Sequence, residues 1–234
     1  MEFEEQPIIL FKGEFKILKS YKTEIDPTEE QTKKIKKTIG TCRFIYNFYL
    51  AKNKEIYEQS NQSMSAFSFM KWLNNEYLKE NPDKLWIKEV STVSIQKATQ
   101  NATDAFRRFF KGQNRFPKFK KKNKQDVKMY FCRQGKNDSI KCERHRIKIP
   151  TLGWVKLKEK GYIPTNPNTH IIRKGTVSYK AGRYYVSVLV EEMQPMKERL
   201  NDFGIGIDLG VKEFATLSNG TYIKMSTKQI ELKT

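Results

Sequence analysis

The chain has 234 residues, enough for one or two domains with buried cores, and its apolar content of 38% is that of a folded protein. Its 45 Lys and Arg residues outnumber its 26 Asp and Glu residues, which gives a net charge of +19. This charge favours a polyanionic partner, with nucleic acid first and an anionic membrane surface second. No apolar run reaches the roughly 20 residues that a membrane-spanning helix needs, and the segment Met1–Glu5 is acidic where a signal peptide would be basic, so we expect a cytoplasmic protein.

The three cysteines, Cys42, Cys132 and Cys142, are odd in number and widely spaced, which predicts reduced thiols and no disulfides. Cys142 and His145, with Cys132 before them, resemble half of a zinc site. A complete site needs four ligands, and the sequence has no CxxC pair. We therefore interpret these side chains as strand residues.

The first element is predicted to be a strand over residues 13–25, followed by a helix start. Asp26 is the expected N-cap, with Pro27 as the first helical residue and Glu29 positioned to complete a capping box. Apolar residues then recur at helical spacing, which predicts a helix over residues 28–60.

Two more helices are predicted before the pattern changes to the two-residue period of strands. The predicted helices cover residues 65–79 and 92–111. The predicted strands are 127–133, 139–149, 154–158, a hairpin of 169–179 and 184–192, and, after a linker at 193–202, a three-strand meander of 203–210, 213–218 and 222–225.

This order of elements predicts an α+β fold in which the helices interrupt one β domain. The simplest topology pairs strand 13–25 with the strands in 127–192, so that the helices form an insertion. A small barrel or a curved sheet would leave few exposed strand edges.

The densest positive stretch follows the third predicted helix. Phe116 and Phe119 alternate with cations there, and exposed aromatic rings are costly unless they pack or stack on bases. A solvated charged loop is the alternative interpretation. The candidate nucleic-acid-binding cations are Arg107, Arg108, Lys111, Arg115, Lys118, Lys120, Lys121 and Lys122.

A second candidate group lies on the first helix, where Arg43, Tyr46 and Asn47 cluster. Tyr46 is at an apolar position of the helical pattern and Asn47 is a common capping residue, so core packing and nucleic-acid binding both remain open for them. His145 and His170 have no neighbouring nucleophile or acid in the sequence, and we predict structural roles for both.

Asp208 stands alone in an apolar predicted strand, with Gly206 and Gly210 on either side. A buried carboxylate needs a cationic partner, which suggests a metal ion. Two-metal phosphodiester cleavage needs several carboxylates, and after Asp208 the sequence offers only Glu213 and Glu231.

Asp208 has three possible interpretations. It is the first acid of an RNase H-like site, part of a phosphate loop like that of actin-like ATPases, or an ordinary turn residue. Val211 and Lys212 stand where the phosphate loop would have hydroxyl residues, and the meander with its glycine spacing favours the first interpretation.

Seven segments, in this order and spacing, carry a family resemblance: Tyr21-Lys22, Pro27-Thr28 with Gln31, Arg43–Asn47, Ala105-Phe106 through Phe109-Phe110, Phe116–Lys122, Ile149-Pro150 through Leu152–Lys156, and Gly206–Lys212. Together they resemble the TnpB (OrfB) proteins of bacterial insertion sequences, relatives of the compact type V CRISPR effectors. The resemblance covers nearly the whole chain.

The resemblance implies an RNA-guided DNA endonuclease fold, in which a helical recognition lobe interrupts a wedge β-barrel and a RuvC domain of RNase H fold follows. It implies guide RNA and target double-stranded DNA as partners. It also implies that Thr92 with Val93 and Gln96, and Phe131 with Arg133, face a short duplex motif beside the target. The implied domains are 1–26 and 126–200 for the wedge, 27–125 for the helical lobe, and 201–234 for a truncated RuvC-like segment.

The sequence departs from the family after Asp208, because it lacks the second catalytic Glu, the third catalytic Asp and the CxxC zinc module. No complete catalytic set and no cofactor are therefore expected, with Mg²⁺ bound only if acids from outside this chain complete the site. We predict an RNA-guided DNA-binding protein without nuclease activity, a transcriptional repressor that occupies its target and lies on the nucleoid when bound.

Two alternatives remain open: an N-terminal fragment or decayed copy of an active TnpB endonuclease, and a structural RNA-binding protein. Three terminal strands cannot bury both of their faces alone, so a homodimer is a further possibility, beside packing on the β domain or on RNA.

Overall fold

The computed structural model of the chain describes residues 14–122, 124, 127–133, 140–195, 204–210 and 214–224. It divides into two compact units, Phe15–Gln194 and the combination of Met1–Glu14 with Pro195–Thr234. The predicted four-domain division stays a prediction. The linker predicted over residues 193–202 begins too early, because residues 193–195 belong to a strand, and residues 196–203 lie outside the described part of the chain.

The first strand leads almost directly into the longest helix. Strand β1 covers Glu14–Asp26, and helix α1 covers Glu29–Ser60. The N-cap is Thr28, whose hydroxyl oxygen accepts from the backbone N–H of Gln31 (3.3 Å), while the Gln31 side-chain oxygen accepts from the backbone N–H of Thr28 (3.0 Å). The prediction of Asp26 as N-cap is wrong, because Asp26 is the last residue of β1 and pairs with a later strand.

Four shorter helical stretches connect α1 to a second long helix. The predicted helix over residues 65–79 is interrupted by a π-helical turn, and a 3₁₀ helix that periodicity did not predict follows it. No helix in the described ranges has the length and hydropathy to cross a bilayer. The elements are α2 (Ala66–Trp72), the π-helical turn (Leu73–Tyr77), α3 (Leu78–Glu80), the 3₁₀ helix (Pro82–Glu89) and α4 (Thr92–Phe110).

Helices α1 and α4 share one hydrophobic core. Ile45 and Tyr49 of α1 are fully buried in it, together with Ala98, Ala102 and Phe106 of α4. These α4 positions repeat at three- and four-residue spacing, so one face of the helix is buried and the other face is open to solvent.

Together with β1, the other strands of this unit form one seven-stranded sheet with the order β2-β6-β7-β1-β5-β4-β3. Strand β1 lies between β7 and β5, which agrees with the predicted pairing of the first strand with strands that follow the helices, and the mixed α and β composition is confirmed. The closure of these strands into a wedge barrel stays a prediction. The strands are β2 (Met129–Cys132), β3 (Lys141–Glu143), β4 (Arg146–Ile149), β5 (Gly153–Leu157), β6 (His170–Lys180) and β7 (Arg183–Pro195).

A close contact between β2 and β6 shapes the sheet beside α4. Phe131 and Gly175 are directly opposite each other in the β2–β6 pair. A Cβ atom on Gly175 would lie 2.4 Å from Cζ of Phe131 and 2.8 Å from the carbonyl oxygen of Ser187. The glycine therefore allows the ring of Phe131 to lie buried across its neighbouring strand.

The second unit contains a small antiparallel sheet with the order β10-β9-β8. Its strands are β8 (Ile207–Asp208), β9 (Ala215–Leu217) and β10 (Tyr222–Ile223). Ile207 is 64% exposed and Asp208 is exposed as well, so the expectation of a buried carboxylate in an apolar strand is wrong. The assignment of this sheet to an RNase H-like fold stays a prediction.

Candidate nucleic-acid interface

Residues 115–122, which we call the basic strip, leave the end of α4 along a defined path. Helix α4 ends at Phe110, and Gly112 turns the chain with a positive φ of 69°. The ring of Phe116 then packs edge-on against Phe106 (5.4 Å between centroids) and Phe109 (5.3 Å). The aromatic end of α4 therefore fixes the start of the strip.

Helix α1 fixes the other end of the strip through Asn47 and Tyr46. The Asn47 side chain donates to the carbonyl oxygen of Lys120 (2.9 Å) and accepts from the Lys120 backbone N–H (2.7 Å). The Lys120 ammonium lies 4.1 Å from the centroid of the Tyr46 ring, a cation–π distance. Tyr46 is buried, and this burial raises the pKa of its hydroxyl. The structure thus places Tyr46 and Asn47 beneath the strip, with Arg43 half-buried on the same helix.

The cations predicted to bind nucleic acid lie close together in the sequence, and most of them are exposed. Between Ala105 and Lys122 the sequence has eight cations and no acid. Arg107 forms an ion pair with Asp104 one turn earlier on α4. The exposed members are Arg107, Arg108, Lys111, Arg115, Lys118, Lys121 and Lys122, while Lys120 is half-buried.

A groove of about 480 Å³ separates the first turns of α4 from the sheet. Val93, Gln96 and Phe131 all line it, so the structure brings these three predicted residues together. Thr92 is exposed at the start of α4, and Arg133 lines a different groove of about 520 Å³ beside Trp154 and His170. The five predicted residues therefore do not all line one groove.

Lys97, Gln100 and Lys174 also line this groove beside α4, and the sequence did not predict them. Gln100 follows Gln96 by one helical turn, so the helical spacing was a usable signal for it. Lys174 comes from β6, and no local pattern connects it with α4.

The buried hydroxyl of Ser94 holds β2 against α4 at this groove. It donates to the carbonyl oxygen of Tyr130 (2.7 Å) and accepts from the Tyr130 backbone N–H (3.1 Å). The Asn101 side chain also donates to the Tyr130 hydroxyl (2.9 Å). One helix face thus satisfies both backbone groups of a strand residue and fixes the width of the groove.

The candidate metal ligands are dispersed in the described residues. Asp208 is paired with Thr216 in the β8–β9 register, and no group of three His, Cys, Asp or Glu side chains occurs in the described ranges. Glu213 and Glu231 lie outside those ranges. Burial raises the pKa of the Cys142 thiol to about 11, with a smaller contribution from the Glu143 carboxylate, which disfavours the thiolate that zinc requires.

His170 has an acid partner that its sequence neighbours did not indicate. Its Nε2 lies 3.9 Å from Oε1 of Glu192, a buried carboxylate on β7. The Lys19 ammonium lies 2.7 Å from the other oxygen of Glu192, and the Tyr21 hydroxyl donates to Oε1. Burial and this hydrogen bond raise the pKa of Tyr21 to about 12. The cluster joins β1, β6 and β7 within the sheet.

A family model described as a helix-turn-helix domain, HTH_OrfB_IS605, matches residues 17–62. In this structure that range contains most of β1 and all of α1, which is a strand followed by a single helix.

Two curated proteins match most of the chain. "Putative RNA-guided DNA endonuclease InsQ" of Escherichia coli (strain K12) is 28% identical over 206 residues, which cover 88% of this chain and 48% of that protein. "Putative RNA-guided DNA endonuclease" of Streptomyces pristinaespiralis is 26% identical over 216 residues, which cover 88% of this chain and 50% of that protein. The chain therefore spans about half the length of the curated relatives it matches.

Among solved structures, a chain of the Cas12f1-sgRNA-target DNA complex aligns with 89% of this chain and 57% of its own length, at 13% identity and a TM-score of 0.41.

Proposed function

We propose that the chain, which is similar to TnpB (OrfB) proteins, binds a guide RNA and uses base pairing of that guide to recognise target DNA. The observation that carries the proposal is the basic strip, an acid-free run of cations and aromatic rings held in place by α1 and α4. The names of the two relatives support the same substrate classes.

In this proposal the protein recognises the geometry of the nucleic acid, and the guide RNA recognises the sequence of the target DNA. The cations at the end of α4 and along the strip neutralise phosphates, and such contacts position a nucleic acid without reading its bases. The hybrid of guide and target is recognised by its shape and backbone. The groove at Gln96 and Phe131 is the proposed contact for a short duplex motif beside the target, because it combines amide groups, lysines and an apolar floor.

We propose further that this 234-residue chain does not cut the DNA that it binds and that it represses transcription by occupancy. Phosphodiester cleavage with two metal ions needs several converging carboxylates. Asp208 is the only acid within residues 204–210 and 214–224, and its carboxylate is exposed. Magnesium would depend on acids supplied from elsewhere.

A second candidate is favoured by the relatives, of which the matched segments cover 48% and 50%. On this hypothesis the same residues form the guide-binding part of a longer endonuclease, and Asp208 contributes one of its metal ligands. Both candidates require the same interface for RNA and target DNA, and they differ only in whether cleavage follows.

The test is to purify the 234-residue chain, sequence the RNA that accompanies it, and incubate the complex with a plasmid matching that RNA in Mg²⁺. We expect a defined RNA species and binding of the matched plasmid without strand cleavage. Cleavage that Asp208→Ala abolishes would contradict the repressor proposal and support the endonuclease. The same variant is the control for purity, because cleavage that persists in it identifies a contaminating nuclease.

A further inference from the structure

The basic strip is anchored at two points, and the residues between them are presented to solvent. Phe116 is held by Phe106 and Phe109 at one end, and Lys120 is held by Asn47 at the other. Both anchors use side chains of helices α1 and α4 or of the strip itself. The path of the strip is therefore fixed by contacts that leave Lys118 and Phe119 exposed.

The two aromatic rings of the strip differ in their surroundings. Phe116 is 46% exposed and makes two edge-on ring contacts, so part of its surface is already used in packing. Phe119 is 55% exposed and has no aromatic ring contact in the part of the chain that the structure describes. Its neighbours in sequence, Lys118 and Lys120, are cations. An exposed ring between cations is the combination that binds a base and its phosphates.

We propose that the basic strip is a preorganised site for an unpaired nucleic-acid strand, in which Phe119 stacks on a base and Asn47 positions the strip by holding the backbone of Lys120. This inference rests on the proposed function. It adds to that function a base-stacking residue, Phe119, and a positioning residue, Asn47. Single-stranded RNA and single-stranded DNA present the same faces and phosphates to the strip.

The chemistry of each part follows from its contacts. Stacking on a phenyl ring accepts any base, so Phe119 contributes affinity without sequence preference. Asn47 uses its side-chain oxygen and one of its two N–H donors on the backbone of Lys120, so a single N–H is left for a phosphate. Its contribution is to order the strip before binding, which lowers the conformational entropy lost on binding.

The first experiment tests stacking with the full chain after copurified RNA has been removed. Affinity for short oligouridylate and oligothymidylate is measured for the wild type, Phe119→Ala and Phe119→Trp. We expect Phe119→Ala to weaken binding of at least one oligonucleotide by roughly 5- to 150-fold, and Phe119→Trp to retain it. The oligonucleotide that is affected identifies the sugar class. Phe67→Ala is the matched control, since Phe67 is 80% exposed on α2, away from the strip in sequence.

The second experiment tests positioning through the salt dependence of the same binding. Lys118→Ala should reduce the slope of log affinity against log salt by about 0.7, the value for one phosphate contact on a single strand. Asn47→Ala should weaken binding by about tenfold with the slope unchanged, because the ordering of one or two residues is lost while the phosphate contacts remain. Hydrogen exchange at the Lys120 amide should become faster in this variant. Asn74→Ala is the control, because the Asn74 side chain donates to Met70 within its own helical segment.

Three results would overturn the inference. These are wild-type affinity of Phe119→Ala for both oligonucleotides, wild-type affinity of Asn47→Ala, and hydrogen exchange at the Lys120 amide that is no faster in Asn47→Ala, which would show that Asn47 does not order the strip. None of them depends on a guide. Failure of the proposed function would give a different result: the affinity for DNA would not depend on complementarity to the bound RNA.

Discussion

Three polar side chains connect segments that are distant in the sequence. Asn47 binds the backbone of Lys120, 73 residues away, and Ser94 binds Tyr130, 36 residues away. Gln31 donates to the carbonyl oxygens of two residues in and before β5, at least 121 residues away. No local pattern contains these partners, so sequence analysis could name Asn47 as important but could not decide what it contacts.

The helix start at Thr28, by contrast, was indicated by the local sequence. Thr28 and Gln31 have the spacing of a capping box, and their reciprocal hydrogen bonds form. Asp26 and Pro27 carry a competing signal two residues earlier. Pairing of Asp26 with Lys156 extends β1 over that position, and this long-range pairing decides between the two signals.

Replacement of Ser94 by Ala should lower the free energy of unfolding by about 1–3 kcal/mol, because both backbone groups of Tyr130 lose their buried partner. Urea denaturation followed by circular dichroism measures this change. Ser68→Ala is the control, since Ser68 is exposed on α2 and should change stability by less than about 0.5 kcal/mol. Equal stability of the Ser94→Ala and Ser68→Ala variants would contradict the role of the Ser94 hydroxyl.

The buried Glu192 cluster predicts a stability change in acid. Burial acts to raise the pKa of Glu192, but hydrogen bonds from Lys19 and Tyr21 outweigh it and hold this pKa below the ordinary value of 4.5. A carboxyl whose folded pKa is depressed contributes stability above its unfolded pKa, and this contribution is lost as pH falls through the folded pKa. Lys19 and Tyr21 on β1 and His170 on β6 are the titratable groups facing it.

Denaturation of the wild type and of Glu192→Gln should therefore be compared between about pH 7 and pH 3. The wild type should lose stability relative to the variant as pH falls below about 4.5, while the difference between them stays constant above about pH 5.5. Glu159→Gln provides the comparison for an exposed carboxylate. Parallel pH profiles of the wild type and Glu192→Gln would show that the cluster does not stabilise the ionised form.

Among the secondary-structure elements, hydrophobic periodicity predicted the long helices and the β6–β7 hairpin because each is built from local contacts. The turn of that hairpin, Ala181-Gly182, has positive φ at both positions, as a two-residue hairpin turn requires. The π-helical turn at Leu73–Tyr77 and the 3₁₀ helix that follows were not predicted. Both deviate from the 3.6-residue period, so a search for that period cannot find them.

Two glycines should respond in opposite ways to substitution by alanine. Gly40 lies within α1 with nothing within 4 Å of an added Cβ, so Gly40→Ala should stabilise the protein by about 0.5–1 kcal/mol. Gly175→Ala forces the Phe131 ring and the sheet apart and should destabilise it by about 1–3 kcal/mol. Thermal denaturation of both variants measures the two shifts, and a stabilised Gly175→Ala variant would contradict the close packing at the α4 groove.

At the scale of the whole protein, the net charge of +19 indicated nucleic acid as the first class of partner. The sequence also identified the cations of the strip, because they are contiguous. It could not predict that helix α1 holds the strip in place, nor that Asp208 is exposed, because both depend on how separate segments pack. Of the five residues assigned to one duplex motif by resemblance, Val93, Gln96 and Phe131 line one groove and Arg133 lines another, for the same reason.

Guided recognition is tested by the affinity of the chain, loaded with its copurified RNA, for DNA duplexes that match or mismatch that RNA, measured in Mg²⁺ at physiological salt. We expect much tighter binding of the matched duplex, which is recovered intact. Equal affinity for matched and mismatched duplexes would contradict guided recognition and leave an RNA-binding protein.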